Sequence, residues 1–270
     1  MRPETTTAIV LRSYEFGESD KIVTLLTRSS GKLNGIAKGA KRSLRRFGGA
    51  LELFSHVQID LRQKRTAELA FLERAVLVRP WRGLLTSLER YAAASHVVEI
   101  ADKMTAEREV GDRLYSVVAG ALARLDRDEP GPWTLRLYEL AALSACGYRY
   151  DFGSCAFCRR ELAAVGGRSH LADGGMVCTR CAGSAPPGPS VSSHATQGLA
   201  RLQSLASSAV PLEGSGRAAD GDFYAAERTL ASTGGMAEGE IARILALLLG
   251  RYVRGRLRSL ELLGPLLRRP

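Results

Sequence analysis

Residues 5–38 read TTTAIVLRSYEF-GESD-KIVTLLTR-SSG-KLNGIAK. The first and second runs are rich in Thr, Val, Ile and aromatic residues, the composition of strands, and 17–20 and 29–31 have the composition of turns. Three strands are expected, at 5–16, 21–28 and 32–38. Leu51–Arg62 and Ala67–Val78 repeat the pattern on either side of the polar turn Gln63–Thr66. Five short strands with no helix between them predict a small barrel over residues 1–80.

Between the third and fourth strands lies Lys32–Gly49, KLNGIAKGAKRSLRRFGG. It holds Lys32, Lys38, Lys41, Arg42, Arg45 and Arg46 and no acid, and Gly35, Gly39, Gly48 and Gly49 oppose a long helix. Cations suit phosphates, and Phe47, directly after two arginines, could stack on a base. A solvated charged loop is the plain alternative. Arg12, Lys64 and Arg65 on neighbouring strands are possible supports. A five-stranded barrel that takes oligonucleotides is the OB-fold, although another small barrel or sandwich satisfies the same periodicity.

The chain has 270 residues and a formal charge of +10. Residues 1–80 hold 15 Lys/Arg against 8 Asp/Glu, residues 243–270 hold 7 against 1, and residues 81–242 hold 16 against 19. A basic excess confined to the two ends points to a polyanionic partner. No apolar run is long enough to span a membrane, and MRPETTTAIV lacks the apolar core of a signal peptide. A cytosolic protein is expected, with its five cysteines serving as metal ligands or buried thiols rather than disulfides.

Beyond Pro80 the apolar spacing becomes helical. Helices are expected at 84–105, 110–125, 132–146, 192–207, 219–232 and 237–257. In the last, Arg251, Arg254, Arg256 and Arg258 fall where cations favour the helix dipole. The segment 147–188 interrupts the helices. Within it, Cys155-Ala-Phe-Cys158 and Cys178-Thr-Arg-Cys181 are two CxxC pairs at the spacing of a zinc ribbon. Four thiolates would close a tetrahedral site around one structural Zn2+ and leave no open position for catalysis. Cys146 stands outside the spacing and reads as a buried thiol.

No catalytic constellation is visible. His56, His96, His170 and His194 are followed two positions on by Gln58, Val98, Ala172 and Thr196, so none opens the His-x-Glu of a zinc deaminase. No GxxxxGK[ST], GxSxG or HExxH occurs. A zinc-containing nucleic-acid enzyme and a zinc-ribbon transcription or RNA factor are the rival classes. A metal-dependent nuclease assay, and a comparison of RNA with DNA affinity, separate them from a DNA-binding reading.

Gly17-Glu18-Ser19-Asp20-Lys21 followed by Lys38-Gly39-Ala40-Lys41-Arg42, then helices and two CxxC pairs, resembles the bacterial RecO recombination mediator family. Gly49-Ala50-Leu51-Glu52-Leu53-Phe54 and Leu257-Arg258-Ser259-Leu260-Glu261-Leu262 add to the likeness, although Leu260 stands where the family pattern has arginine. The resemblance implies an α+β, multi-domain protein: an N-terminal five-stranded OB-fold barrel (1–80) and an α-helical domain (81–270) with an inserted four-cysteine zinc ribbon (147–188). It implies no enzymatic turnover. It implies binding to single- and double-stranded DNA, strand annealing, and work with RecR to load RecA onto DNA coated by single-stranded-DNA-binding protein. Lys38, Lys41, Arg42, Arg45 and Arg46 are the expected phosphate contacts. The acidic, apolar tail of single-stranded-DNA-binding protein is expected on the helical domain, with Arg90 and Arg251–Arg258 as its candidate cations.

Overall fold

The computed structural model describes residues 2–63, 68–106, 112–162, 169–172, 175–185, 188–209, 220–231 and 237–266. Lys64 and Arg65 lie outside the described residues. Five strands, β1 (Arg2–Phe16), β2 (Asp20–Thr27), β3 (Gly31–Ala37), β4 (His56–Gln63) and β5 (Leu69–Arg79), close a barrel in the order β1-β2-β3-β5-β4. All neighbours are antiparallel except β3 and β5, which shut the barrel through a short parallel pairing of Asn34, Gly35 and Ile36 with Leu69, Ala70 and Phe71. A Cβ at Gly35 would meet the Leu72 side chain at 3.0–3.2 Å, so the missing side chain lets the closing strands approach.

The apolar run Ala8-Ile9-Val10-Leu11 is buried throughout because β1 is covered on both faces. Ala8 and Val10 fill the barrel interior with Val23, Leu25, Leu33, Val57, Ile59, Leu61 and Leu72. Ile9 and Leu11 belong to a second core that continues into the helices. That two-sided burial breaks the in–out alternation of an ordinary barrel strand and marks the side on which the helical region docks.

The fourth strand begins later than its sequence suggests. Residues 51–55 form a turn in which Leu51 packs inside the barrel and Phe54 in the helical core. Phe54 adopts φ 71°, an uncommon conformation for an aromatic residue, and its amide donates to the Val10 carbonyl at 3.0 Å. One chain segment thus serves two cores.

Seven α-helices follow among the described residues: α1 (Leu88–Met104), α2 (Asp112–Arg127), α3 (Pro132–Ala145), α4 (Ser193–Ala209), α5 (Asp220–Ala231), α6 (Glu238–Tyr252) and α7 (Ser259–Leu266). Ser87 caps α1 by accepting the Arg90 amide at 3.2 Å, and Pro132 occupies the first turn of α3. Helix α6 stops at Tyr252, not at about 257: Val253 already takes extended backbone, and Gly255 at φ 76° turns the chain two residues further on. Arg254, Arg256 and Arg258 therefore lie beyond the helix, and only Arg251 sits in its last turn. No helix of the described residues is long and apolar enough to cross a membrane.

Charged contacts lock barrel to helices. Buried Asp102 on α1 accepts Lys32 Nζ at 3.3 Å and pairs with the Arg12 guanidinium. Arg28 bonds Asp112 at 2.9 Å, and His56 stacks on Trp81 while sharing a 2.6 Å hydrogen bond with Tyr115. His96 is a core residue, bridging Glu139 on α3 and Ser259 on α7 at 3.0 and 2.9 Å.

Candidate nucleic-acid interface and metal centre

At one end of the barrel, the β1–β2 turn forms a socket for the basic loop. Asp20 Oδ1 accepts the Gly39 amide at 2.8 Å, and the Ser19 carbonyl accepts the Lys41 amide at 3.0 Å. Gly39 is the residue suited to this place, with φ 67°. The Gly39 amide, helped by the Ser19 hydroxyl, holds the Asp20 carboxyl below its ordinary range. These contacts join the two segments, 17–21 and 38–42, that stand about twenty residues apart in sequence.

The loop continues as two tight turns. The Gly39 carbonyl accepts the amides of Arg42 and Ser43, and the Ser43 carbonyl accepts those of Arg46 and Phe47, all within 3.0–3.2 Å. Phe47, Ala50 and Leu51 then enter the barrel core. Phe47 is only 2% exposed, so its ring is covered and does not offer a face to a base. It anchors the loop. The apolar residue that the loop does present is Leu44, 83% exposed, whereas composition alone draws attention to the neighbouring aromatic instead.

The cations divide into three roles. Arg46 works internally: Nη2 donates to the Lys38 carbonyl at 2.7 Å, Nε donates to Ser43 Oγ at 3.1 Å, and the guanidinium lies 5.0 Å from the Phe47 ring centroid. Lys41 Nζ donates to Glu15 at 2.6 Å, which keeps that carboxyl below its usual range, and Arg42 stands 3.8 Å from Glu18 at the surface. Lys38 and Arg45 are exposed. Arg12 does not join this group; it serves the Asp102 contact at the seam with α1.

The cysteine segment folds as a four-stranded sheet in the order β6 (Asp151–Cys155), β8 (Gly175–Cys178), β7 (Ser169–Ala172) and β9 (Ser190–Val191). Cys155 ends β6 and Cys178 ends β8, and these two strands pair, which brings both knuckles to one end. The four sulfurs lie within 4.8 Å of one another, and Cys158 and Cys178 are 3.8 Å apart. A tetrahedral site with metal–sulfur bonds of about 2.3 Å requires sulfurs about 3.8 Å apart, so the four residues could hold one metal ion. Burial works against a Cys155 thiolate, but the amides of Cys158, Cys178 and Phe157 outweigh it and bring the thiol down to about 6. Cys181, hydrogen-bonded to Cys178 and crowded by its neighbours, is pushed up to about 12. Sulfurs this close cannot all ionise without a cation among them. Cys146 is half-buried rather than enclosed.

A cavity of about 600 Å³ opens between the outer face of β1 and helices α1 and α7, lined in part by Leu11, Leu53, Lys103, Arg258 and Leu262. In its wall, burial would raise the Glu99 carboxyl, but the Ser259 and Arg258 amides and Lys103 bring it down to about 2. Arg90 is not part of this wall; its guanidinium is bound to Glu129 at 2.9 Å and to the Asp126 carbonyl at 3.1 Å.

A closed, OB-like barrel with a braced cationic loop, set on a helical body that carries a four-cysteine ribbon, defines the structural class. Residues 1–81 match the family of the recombination protein O N-terminal region, and residues 85–214 match that of its C-terminal region. The chain is 36% identical over 263 residues to the DNA repair protein RecO of Anaeromyxobacter sp. (strain Fw109-5), covering 97% of this chain and 96% of that relative. It is 34% identical over 261 residues to DNA repair protein RecO of Anaeromyxobacter dehalogenans (strain 2CP-C), with 97% of both chains covered. It is 38% identical over 181 residues to DNA repair protein RecO of Geobacter metallireducens, covering 67% of this chain and 73% of the relative. The chain belongs to the RecO family of DNA repair proteins.

Proposed function

We propose that this chain is a non-enzymatic, DNA-binding recombination mediator. It binds single- and double-stranded DNA, anneals complementary strands and, with RecR, helps load RecA onto DNA coated by single-stranded-DNA-binding protein. The observation that carries this reading is the basic loop, whose backbone is fixed by Asp20 and Phe47 while Lys38, Arg42 and Arg45 remain exposed. A preformed cationic loop loses little entropy on binding phosphates. Screening the repulsion between two strands requires charge and no catalytic group.

Phosphate contacts carry no sequence information. Fluorescence anisotropy with oligonucleotides of unrelated sequence should therefore give closely similar affinities at one salt concentration. Strong discrimination among sequences of equal length would contradict the reading.

In this reading Cys155, Cys158, Cys178 and Cys181 hold one structural Zn2+, which would join the two knuckles and supply no reaction chemistry. The acidic, apolar tail of single-stranded-DNA-binding protein docks in the cavity beside α7. Leu11, Leu53 and Leu262 offer it apolar contact and exposed Arg258 offers charge, whereas Lys103 is paired with Glu99 at 3.0 Å. A titration with the tail peptide should show binding at low salt that weakens in Arg258→Glu. No binding by the parent would remove this partner site.

A further inference from the structure

The ribbon carries more than a metal-holding site needs. Phe157 stands between Cys155 and Cys158 and is 54% exposed, although it is a large apolar side chain. Arg159 and Arg160 follow it, and Arg180 lies in the second knuckle, between Cys178 and Cys181; all three are exposed. Because the four sulfurs lie within 4.8 Å of one another, the two knuckle tips are neighbours.

The backbone holds the first tip in a fixed shape. The Arg159 amide donates to the Cys155 carbonyl at 2.9 Å, with Arg159 at φ 58°, and the Cys155 amide donates to the Arg160 carbonyl at 2.8 Å. An aromatic on such a turn is presented at low entropic cost. Among the described residues of the ribbon, Phe157 is the one large apolar side chain so exposed, and Arg159 and Arg160 stand two and three positions after it in the chain. A docking patch for a folded protein would need contiguous apolar area, which this tip lacks. An isolated exposed ring on a knuckle pair that also carries three exposed arginines matches an unpaired base and its flanking phosphates.

We propose that the paired knuckles are a second nucleic-acid contact, specific for single strands, in which Phe157 stacks on a base and Arg159, Arg160 and Arg180 meet phosphates. This rests on the DNA-binding reading and extends it. Asp151 and Glu161 are exposed nearby, and the Asp151 carboxyl feels the charge of Arg159. The net field at the tip is accordingly modest, and stacking rather than charge dominates the contact. A mediator with one cationic loop on its barrel and one stacking tip on its ribbon can engage two strands at once, as annealing requires.

The test replaces Phe157→Trp in the intact chain. Trp81 and Trp133 are 7% and 8% exposed, so the introduced indole is the accessible fluorophore. Saturating oligo(dT) should quench emission well beyond any change in the parent, and duplex DNA of equal length should not. A second variant, Phe157→Ala, is placed in a chain that already carries Lys38→Ala, Arg42→Ala and Arg45→Ala. It should lose a further 5- to 150-fold, roughly, in affinity for single strands with its salt slope unchanged. Metal content equal to the parent's verifies the folded ribbon in each variant. Quenching no larger than the parent's, with binding verified by anisotropy, overturns the inference and leaves the loop reading intact. Quenching that persists when the three loop substitutions have no effect supports the knuckle and removes the loop.

Discussion

The basic loop and the cysteine ribbon solve one problem, holding a short irregular segment in a fixed shape, by opposite means. The loop is braced by the protein itself: Asp20 holds its first turn, Arg46 folds back on Lys38, and Phe47 is sunk in the barrel. The ribbon has short strands, and its knuckles converge on four sulfurs that have no disulfide. In the proposed reading, a metal held by those sulfurs fixes the knuckles. Local hydrogen bonds and a buried ring suffice for the loop because a closed barrel stands beneath it; the ribbon strands join the helical core through Phe152, Leu171, Met176, Val177 and Val191, which leaves its knuckle tips to the four sulfurs.

Removing the metal should produce the largest effect and should separate the two regions. Binding at structural thiolate sites contributes about 10 kcal/mol or more. Chelation, or Cys155→Ser, should abolish hydrogen-exchange protection in β6–β8 while β1–β5 retain theirs. Protection in the ribbon that survives complete metal removal would erase the contrast.

Phe47→Ala should act in the reverse sense. Truncating a buried phenylalanine costs about 3–5 kcal/mol, so urea should unfold the barrel earlier. Without urea, DNA affinity should also fall, because Arg46 loses the ring beneath it, while metal content stays at the parent's value. An unchanged barrel midpoint would show that the ring is not the anchor.

The contrast also explains what can be read from sequence. The number of barrel strands is legible from composition and turn residues, although the fourth begins at His56 and not Leu51, and the CxxC spacing leads directly to the sulfur cluster because ligand geometry dictates it. The role of Phe47 is harder to see. Two preceding arginines suggest a nucleic-acid surface, yet Phe47, Ala50 and Leu51 already show the i, i+3, i+4 spacing of a segment entering a core. Leu44 gives no signal because one exposed leucine has no pattern. The likeness of 17–21 and 38–42 to a known family is visible, but its physical reason, the Asp20–Gly39 and Ser19–Lys41 hydrogen bonds, is long-range and needs coordinates. The division of labour among the cations is hidden likewise, because Glu15 and Glu18 stand far back in the chain from Lys41 and Arg42, the groups they neighbour.

That division makes the decisive measurement specific. Arg46 braces the loop and Lys41 is held by Glu15, so Lys38, Arg42 and Arg45 are the groups to remove together. Each phosphate neutralised on a single strand adds about 0.7 to the slope of log affinity against log salt. A salt titration of Lys38→Ala/Arg42→Ala/Arg45→Ala beside the parent, with the barrel's unfolding midpoint unchanged, should give weaker binding and a slope shallower by about 2. Equal affinity and an equal slope would contradict the assignment of the barrel loop as the DNA surface.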